Sequence, residues 1–241
     1  MARRRFFVNA IHSGHAELTG DEAAHLTRVL RVEAGQQFEI SDNNRAFLAE
    51  VESARKSRVV FRIMEALNPE PGGVEVSLFV ALIKFDRFEM LLEKATEIGV
   101  AAVVPVRTVR SEHGLEKAAP KRIERWRRIA VEASEQSRRT RLPKIEDPVD
   151  FAGALARAAG VRIFLDEDST APPLLQALPP SRSPEDCVII LAGPEGGWTS
   201  TERETAIAAE WTPASLGRRV LRTETACIAA LAIVQAAWQI E

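Results

Sequence analysis

The apolar positions of this chain follow two regimes, separated by Asn68-Pro-Glu-Pro-Gly-Gly73. Before that rigid polar punctuation, short strand-like runs alternate with turns. Phe6-Phe7-Val8 reads as a strand, and Gly35 opens a turn into a second over 37–41. Asp42-Asn43-Asn44 forms a hairpin turn, and 46–54 and 58–66 supply two further strands. One helix interrupts them, from Thr19 to Arg31, with Leu26, Val29 and Leu30 at helical spacing. After Gly73 the runs lengthen and the period changes. Strands are expected over 76–83, 100–106, 161–165, 188–192 and 213–216. Helices are expected over 87–98, closed by Gly99, over about 120–138, near 148–159, and over 225–240. Strand–helix alternation with continuously apolar strands predicts an α/β domain over 74–241, its parallel sheet covered on both faces. A small β-rich domain over 1–69 precedes it.

The strand 188–192 ends in Gly193-Pro194-Glu195-Gly196-Gly197-Trp198-Thr199. Glycine lets a backbone approach a ligand closely, and Pro194 stiffens the turn. Thr199-x-x-Glu202 and Thr201-x-x-Glu204 are overlapping capping-box patterns, so a helix begins at about Ser200 to Glu202. A strand, a glycine loop and a helix form a ligand site at the carboxyl edge of an open sheet. Neither Gly-x-Gly-x-x-Gly nor a Lys-Ser/Thr after the glycines is present, which argues against dinucleotide or ATP binding of the usual kinds.

Charge changes the picture more than composition does. The net charge is only −2, yet residues 117–144 carry ten Lys/Arg against three Glu, and 145–241 carry seven Arg against fourteen acids. A basic stripe is a nucleic-acid footprint that an acidic average conceals. No apolar run is long enough to span a bilayer, and no signal-peptide core follows Met1-Ala-Arg-Arg-Arg, so a cytoplasmic protein without membrane contact is expected. Cys187 and Cys227 both lie in apolar surroundings and are expected to be buried, reduced thiols. His12-x-x-His15 has ligand-like spacing, but no Cys or third His accompanies it; no metal is expected.

A second motif follows the glycine loop: Leu216-Gly217-Arg218-Arg219-Val220-Leu221-Arg222-Thr223-Glu224-Thr225-Ala226. In this order and place, the two motifs resemble the cofactor end of the SPOUT, or trefoil-knot, RNA methyltransferases. Within that class they are similar to the 16S (small-subunit) rRNA uracil-N3 methyltransferases. His25 with Val29-Leu30-Arg31, Gly35 and Asp42 is similar to that family's N-terminal PUA-like barrel, and Glu135-Gln136-Ser137-Arg138-Arg139 is a further match. The resemblance implies a PUA-like RNA-binding barrel over 1–69, then a SPOUT domain over 74–241 whose chain is threaded into a knot after about Gly193. It also implies S-adenosylmethionine as cofactor, the small-subunit ribosomal RNA as partner, and a homodimer formed through the helix 225–240. The cofactor would lie among Leu165 and Asp166, the loop of Leu191, Gly193, Pro194, Gly196 and Gly197, and Leu216, Gly217, Val220 and Leu221. Arg218-Arg219 departs from the family pattern, which has at most one basic residue there.

The chemistry of N3 sets what else is needed. N3 of uracil carries a proton at neutral pH, so methylation requires its removal as well as placement against the methyl. Glu195 and Glu224 are the candidate bases. Arg222, before an apolar helix, opposes the helix dipole and suggests a nearby anion; it is the third candidate catalytic residue, to stabilise the uracil anion or hold its phosphate. Arg3, Arg4, Arg5, Arg28 and Arg31 in the barrel, with Arg138, Arg139, Arg218 and Arg219, are candidate RNA contacts. Two alternatives stay open: a related enzyme acting on tRNA or a ribose hydroxyl, and a non-catalytic RNA-binding or ribosome-assembly module.

Overall fold

The computed structural model describes residues 4–69, 72–157, 159–168 and 170–239. Arg3 and Ile240 lie outside the described residues. The chain divides into two compact units: one holds the residues up to 71 together with 131–142, the other holds 72–130 and 143 onward.

The first unit is a six-stranded, mostly antiparallel sheet. Its elements are β1 (Arg5–Phe7), β2 (Ile11–His12), β3 (His15–Thr19), α1 (Gly20–Arg28), β4 (Gln37–Ser41), β5 (Ala46–Arg55) and β6 (Arg58–Ala66), and the strand order is β1-β4-β5-β6-β3-β2. Phe6, Leu18, Leu26, Ile40, Val51 and Phe61 fill its core. The sequence expectation lacked β2 and β3. Ser13 (φ 48°) and Gly14 (φ 77°) form a two-residue turn, and His12 pairs with His15 across it. Two left-handed turn residues match the twist of the flanking strands, so the His-x-x-His spacing belongs to a hairpin. The helix is shorter than expected. It stops at Arg28, which leaves Val29 65% exposed instead of on its buried face.

The second unit is an α/β fold around an all-parallel sheet. It runs β7 (Glu75–Ala81), α2 (Phe85–Ile98), β8 (Ala102–Arg107), α3 (Leu115–Ala118), α4 (Ile123–Gln136), β9 (Lys144–Ile145), β10 (Val149–Asp150), α5 (Phe151–Arg157), β11 (Val161–Leu165), α6 (Leu174–Ala177), β12 (Cys187–Ala192), α7 (Ser200–Ala208), β13 (Thr212–Ala214) and α8 (Thr223–Ala237). A 3₁₀ turn over Ala119–Arg122 leads into α4, whose last turns count with the first unit. The strand order is β10-β8-β7-β12-β11-β13, with β9 added on β8, and every pairing is parallel.

Successive strand residues point to opposite faces, and the two faces have separate cores. Val76, Leu78, Val80, Val188 and Ile190 face α2 and α8, whereas Phe79, Val104, Ile189 and Leu191 face Trp198 and Trp211. Gly99 closes α2 at φ 106°, a left-handed cap that glycine adopts without strain. Cys227 is buried as expected, but Cys187 is exposed, because it opens β12 ahead of the covered part of the strand. Among the described residues, no helix is long and apolar enough to cross a membrane, and no group of three or more His, Cys, Asp or Glu is placed to hold a metal.

Candidate active site

Strand β11 lies between β12 and β13, so the chain leaves β12 on one side of β11 and returns as β13 on the other. Such a switch point opens a crevice at the carboxyl ends of the strands. Here the crevice is an open cleft. The ends of the three strands build it: Leu165, Asp166 and Glu167 after β11, Ala192, Gly193 and Pro194 after β12, and Ala214 to Gly217 after β13. Trp198, Arg219, Leu221, Thr223 and Ala226 complete the lining.

The glycine loop is folded back against the sheet by Trp198. Its indole N–H donates to the Leu165 carbonyl at 2.8 Å, and its ring stacks on Phe164 with centroids 4.8 Å apart. A Cβ on Gly193 would lie 2.8 Å from that ring, so glycine is required there by close approach. Two arginines hold the rest of the loop. Arg110 donates to the carbonyls of Gly196 (2.9 Å) and Trp198 (3.2 Å). Arg203 grips both carboxylate oxygens of Asp166 (2.8 and 3.0 Å) and also reaches the Trp198 carbonyl at 3.1 Å. The Thr199–Glu202 capping box forms as expected and starts α7 at Ser200. Glu202 also accepts from the Val109 N–H at 2.9 Å, which ties the Arg110 loop to the same helix.

The loop after β13 is built differently. The N–H of Ser215 donates to the Pro172 carbonyl (2.8 Å), and the Ser215 carbonyl accepts from Leu174 (2.9 Å). Gly217 follows at φ 110°, with no heavy atom within 4 Å of an added Cβ. That combination is a backbone cradle open toward the cleft. Helix α8 then begins with Arg222 at the N-cap position, and no side chain caps it. Thr223 instead donates its hydroxyl to the Gly193 carbonyl at 2.8 Å.

Leu165, Asp166, Gly193, Pro194, Leu216, Gly217 and Leu221 therefore meet in one cleft, as the sequence motifs imply. Gly196 and Gly197 shape the loop without lining the cleft; Gly197 adopts φ 68°, with the Glu167 carboxylate packed against it. Two expected cofactor contacts, Leu191 and Val220, stand outside that lining. Leu191 points into the core beside Trp198, because the strand alternation turns Ala192, not Leu191, to the cleft side. Val220 is 90% exposed, since its loop swings away from the strand ends.

The three candidate catalytic residues surround the cleft without lining it. Arg222 is exposed, and no hydrogen bond or ion pair engages its guanidinium among the described residues. Glu195 keeps its side chain 37% exposed and pairs with Arg87 at 3.3 Å. Glu224 is only 2% exposed, and its Oε2 has no partner among the described residues. Cys227 lies one turn further on; burial, with the Glu224 charge adding to it, pushes its thiol far above the ordinary range.

Arg219 lines the cleft, whereas Arg218 points to solvent. In the first unit Arg28, Arg31 and Arg138 are exposed and Arg139 is half-buried. Arg4 pairs with Glu135 at 3.4 Å. Arg5 is the clear correction: it is 7% exposed and held by Glu39 and Thr140, so it does not face a phosphate. Sequence reasoning missed Arg87, Arg110 and Arg203, whose partners come from distant segments.

Fold and cleft together define the class as an RNA methyltransferase. The model of the RNA methyltransferase domain family matches residues 70–235, and that of the RNA methyltransferase PUA domain matches 18–64. Ribosomal RNA small subunit methyltransferase E of Synechocystis sp. is 34% identical over 91% of this chain and 72% of its own length. The enzyme of that name from Bacillus subtilis is 33% identical over 90% and 88%. This chain belongs to the ribosomal RNA small subunit methyltransferase E family. Among solved structures, the Neisseria gonorrhoeae protein of that name, bound to S-adenosyl methionine, superposes with a TM-score of 0.88 at 28% identity over 98% of both chains. A putative Legionella pneumophila methyltransferase in complex with the same cofactor gives 0.89 at 29% identity, also over 98% of both.

Proposed function

We propose that this chain is an S-adenosylmethionine-dependent methyltransferase acting on N3 of a uridine in small-subunit (16S) ribosomal RNA. The observation that carries the reading is the cleft at the β11–β12–β13 switch point. Its residues fit the cofactor. The open cradle at Gly217 and the bare backbones of Gly193 and Pro194 suit close polar contact with a purine edge or ribose, and Leu165, Leu216, Leu221 and Ala226 supply apolar walls. Glu167 and Arg219 offer one charge of each sign to a zwitterionic tail. When bound, the cofactor supplies a methyl group activated by its sulfonium.

The chain itself must bring uracil to the cleft, take its N3 proton and stabilise the anion left behind. Arg222 carries an unengaged cation between Leu221 and Thr223, both of which line the cleft. A fixed guanidinium beside the ring lowers the cost of negative charge on its carbonyl oxygens. Of the two acids, Glu195 is the one solvent reaches and adjoins cleft-lining Pro194, so we assign it the proton. Glu224 is buried in the first turn of α8.

The same reading includes a homodimer formed through the helix 225–240 and a cytoplasmic location alongside the RNA. In support of the dimer, Thr225, Ala232 and Ala236 form an outward stripe on α8 beside half-buried Ile228 and Ala229. It also includes threading of the chain after Gly193 into a trefoil knot. The placement of β12 and β13 on opposite sides of β11, and the bracketing of Ser215 by Pro172 and Leu174, support that.

The test is mass mapping of 16S rRNA from a strain lacking the gene. One uridine should lose an N3-methyl group and regain it when purified protein and cofactor are added. Unchanged uridine methylation overturns the assignment.

A further inference from the structure

The first unit contains a segment that the sequence assigns elsewhere: residues 131–142 pack with the barrel. The stretch after α4 is stitched to β1 and β4 by buried and half-buried polar contacts, and to the β4–β5 hairpin turn by exposed ones. Arg5 is at the centre. Its guanidinium donates to the Glu39 carboxylate (3.0 and 3.2 Å), to the Arg138 carbonyl and to the Thr140 hydroxyl at 2.9 Å. Ser41 donates its hydroxyl to the Thr140 carbonyl at 2.6 Å, and the Leu142 N–H donates to the Asn43 side chain at 2.7 Å. Arg138 is held at φ 56°, a left-handed conformation a long side chain does not adopt without compensation.

This stitching has a cost that nothing inside the barrel requires. It orders three arginines, Arg138, Arg139 and Arg141, on a short loop next to Arg45 of the hairpin turn. Arg45, Arg138 and Arg141 are exposed; Glu39 is turned inward onto Arg5 and also meets the Arg138 guanidinium at 3.6 Å. Arg141 also meets Asn44 at 3.4 Å, which keeps strap and turn side by side.

We propose that the strap 138–142 and the turn 42–45 form a preorganised docking platform for RNA phosphates, and that Arg5 is its positioning residue and not itself a contact. This rests on the RNA-methylating reading and names the surface that would hold the RNA. Only a guanidinium has the fork of donors that reaches a carboxylate, a carbonyl and a hydroxyl together. A lysine keeps the charge but not the geometry. Fixing the loop beforehand removes an ordering cost that RNA binding would otherwise bear.

The experiment measures binding of the full-length protein to a 16S rRNA transcript and to an unstructured oligouridylate across a potassium chloride titration. Each of Arg45→Ala, Arg138→Ala and Arg141→Ala should weaken binding to both and flatten the log–log salt slope by roughly 0.7–0.9. Affinity for S-adenosylhomocysteine, measured by calorimetry, should not change. Arg5→Lys should weaken RNA binding as well. Added to an Arg138→Ala/Arg141→Ala protein, however, it should cost little more, because its effect passes through the strap. Thr140→Val gives the same comparison should Arg5→Lys fail to fold. Losses that add in full would make Arg5 a direct contact and overturn its positioning role. Unchanged affinity and slope in all three alanine variants would overturn the platform. Failure of the wild-type protein to methylate 16S rRNA would instead strike the function reading, which these binding arms leave separate.

Discussion

The hydroxyl of Thr223 donates to the carbonyl oxygen of Gly193 at 2.8 Å. This bond joins the first residue of α8 to the first residue after β12 and closes the cleft between two motifs thirty residues apart in sequence. Helix α8 begins without a side-chain cap, so the threonine serves the cleft, not its own helix. Thr223→Val keeps the shape and removes the donor. It should lower stability by about 0.5–1.5 kcal/mol and weaken S-adenosylhomocysteine binding. Chemical unfolding together with calorimetric titration checks both. A loss of stability with cofactor affinity untouched would confine Thr223 to the fold.

Gly193 makes a sharper prediction. An added methyl would sit 2.8 Å from the Trp198 ring, which is itself stacked on Phe164 and bonded to Leu165. The indole cannot retreat into the core, and overpacking of this sort costs roughly 1–3 kcal/mol. Gly193→Ala should therefore displace Trp198 into the cleft and abolish cofactor binding. Gly217→Ala meets no atom within 4 Å but is strained at φ 110°, so it should reduce affinity more mildly. Titration of the two variants side by side tests the order.

Much of this was legible in the sequence because the relevant signals were local. The apolar run 161–165 is β11, the Asp42-Asn43-Asn44 turn separates β4 from β5, and Thr199-x-x-Glu202 caps α7. The glycine loop and the Leu216-Gly217 motif met in one cleft because parallel strands end on one edge. The missed arginine contacts share a physical cause: each depends on a partner distant in the chain. Arg110 is held by carbonyls 86 and 88 residues away, and Arg5 by a carbonyl and a hydroxyl 133 and 135 residues away. A run of arginines at a terminus reads as a solvated basic face, and no periodicity reveals that one of them turns inward. Leu191 is different. The period of two along β12 sets it against Ala192, and only knowledge of which face the cleft occupies decides between them.

Glu135 links stability to pH. Burial raises its carboxyl from the ordinary 4.5 to about 7; Arg4 opposes the shift, while Glu22 and Glu132 add to it. The folded protein thus keeps a proton that the unfolded chain has already released. Stability should fall as pH rises from about 4.5 to about 7 and then level off, with no contribution from this group below the lower value. Glu135→Gln should flatten that part of the profile and raise the melting temperature at about pH 8. Melting curves of both proteins across the range decide it, and a parallel pH dependence would remove Glu135 as its source.

The proposed dimer predicts different outcomes on the two sides of α8. Ala230 is fully buried within the chain and Ala232 is exposed. A glutamate at Ala230 would bury an unpaired charge and should unfold the protein outright. Ala232→Glu should leave each chain folded and yield monomers with unchanged secondary structure. Sedimentation velocity with circular dichroism separates the two, and a wild-type monomer at micromolar concentration would end the dimer reading.

The proton on N3 gives the last and most demanding prediction. Glu195 is half-exposed and paired with Arg87, whereas Glu224 is buried with one oxygen unpartnered. If Glu195 takes the proton, Glu195→Gln should slow single-turnover methylation by roughly 10²-fold or more. Rising pH should restore much of that rate, because hydroxide then removes the proton. Glu224→Gln should keep the wild-type profile, since an acid buried in the first turn of α8 does not set which proton must leave. Arg222→Ala should leave cofactor affinity intact and cost roughly 10²-fold in rate. Its loss should recover less with pH, because the uracil anion still lacks its countercharge once formed. Pre-steady-state rates under saturating cofactor, measured against pH for the three variants, discriminate these cases. A rescue seen in Glu224→Gln alone would move the base to α8. Wild-type rates and profiles in all three would mean that the proton leaves by a route none of these residues provides.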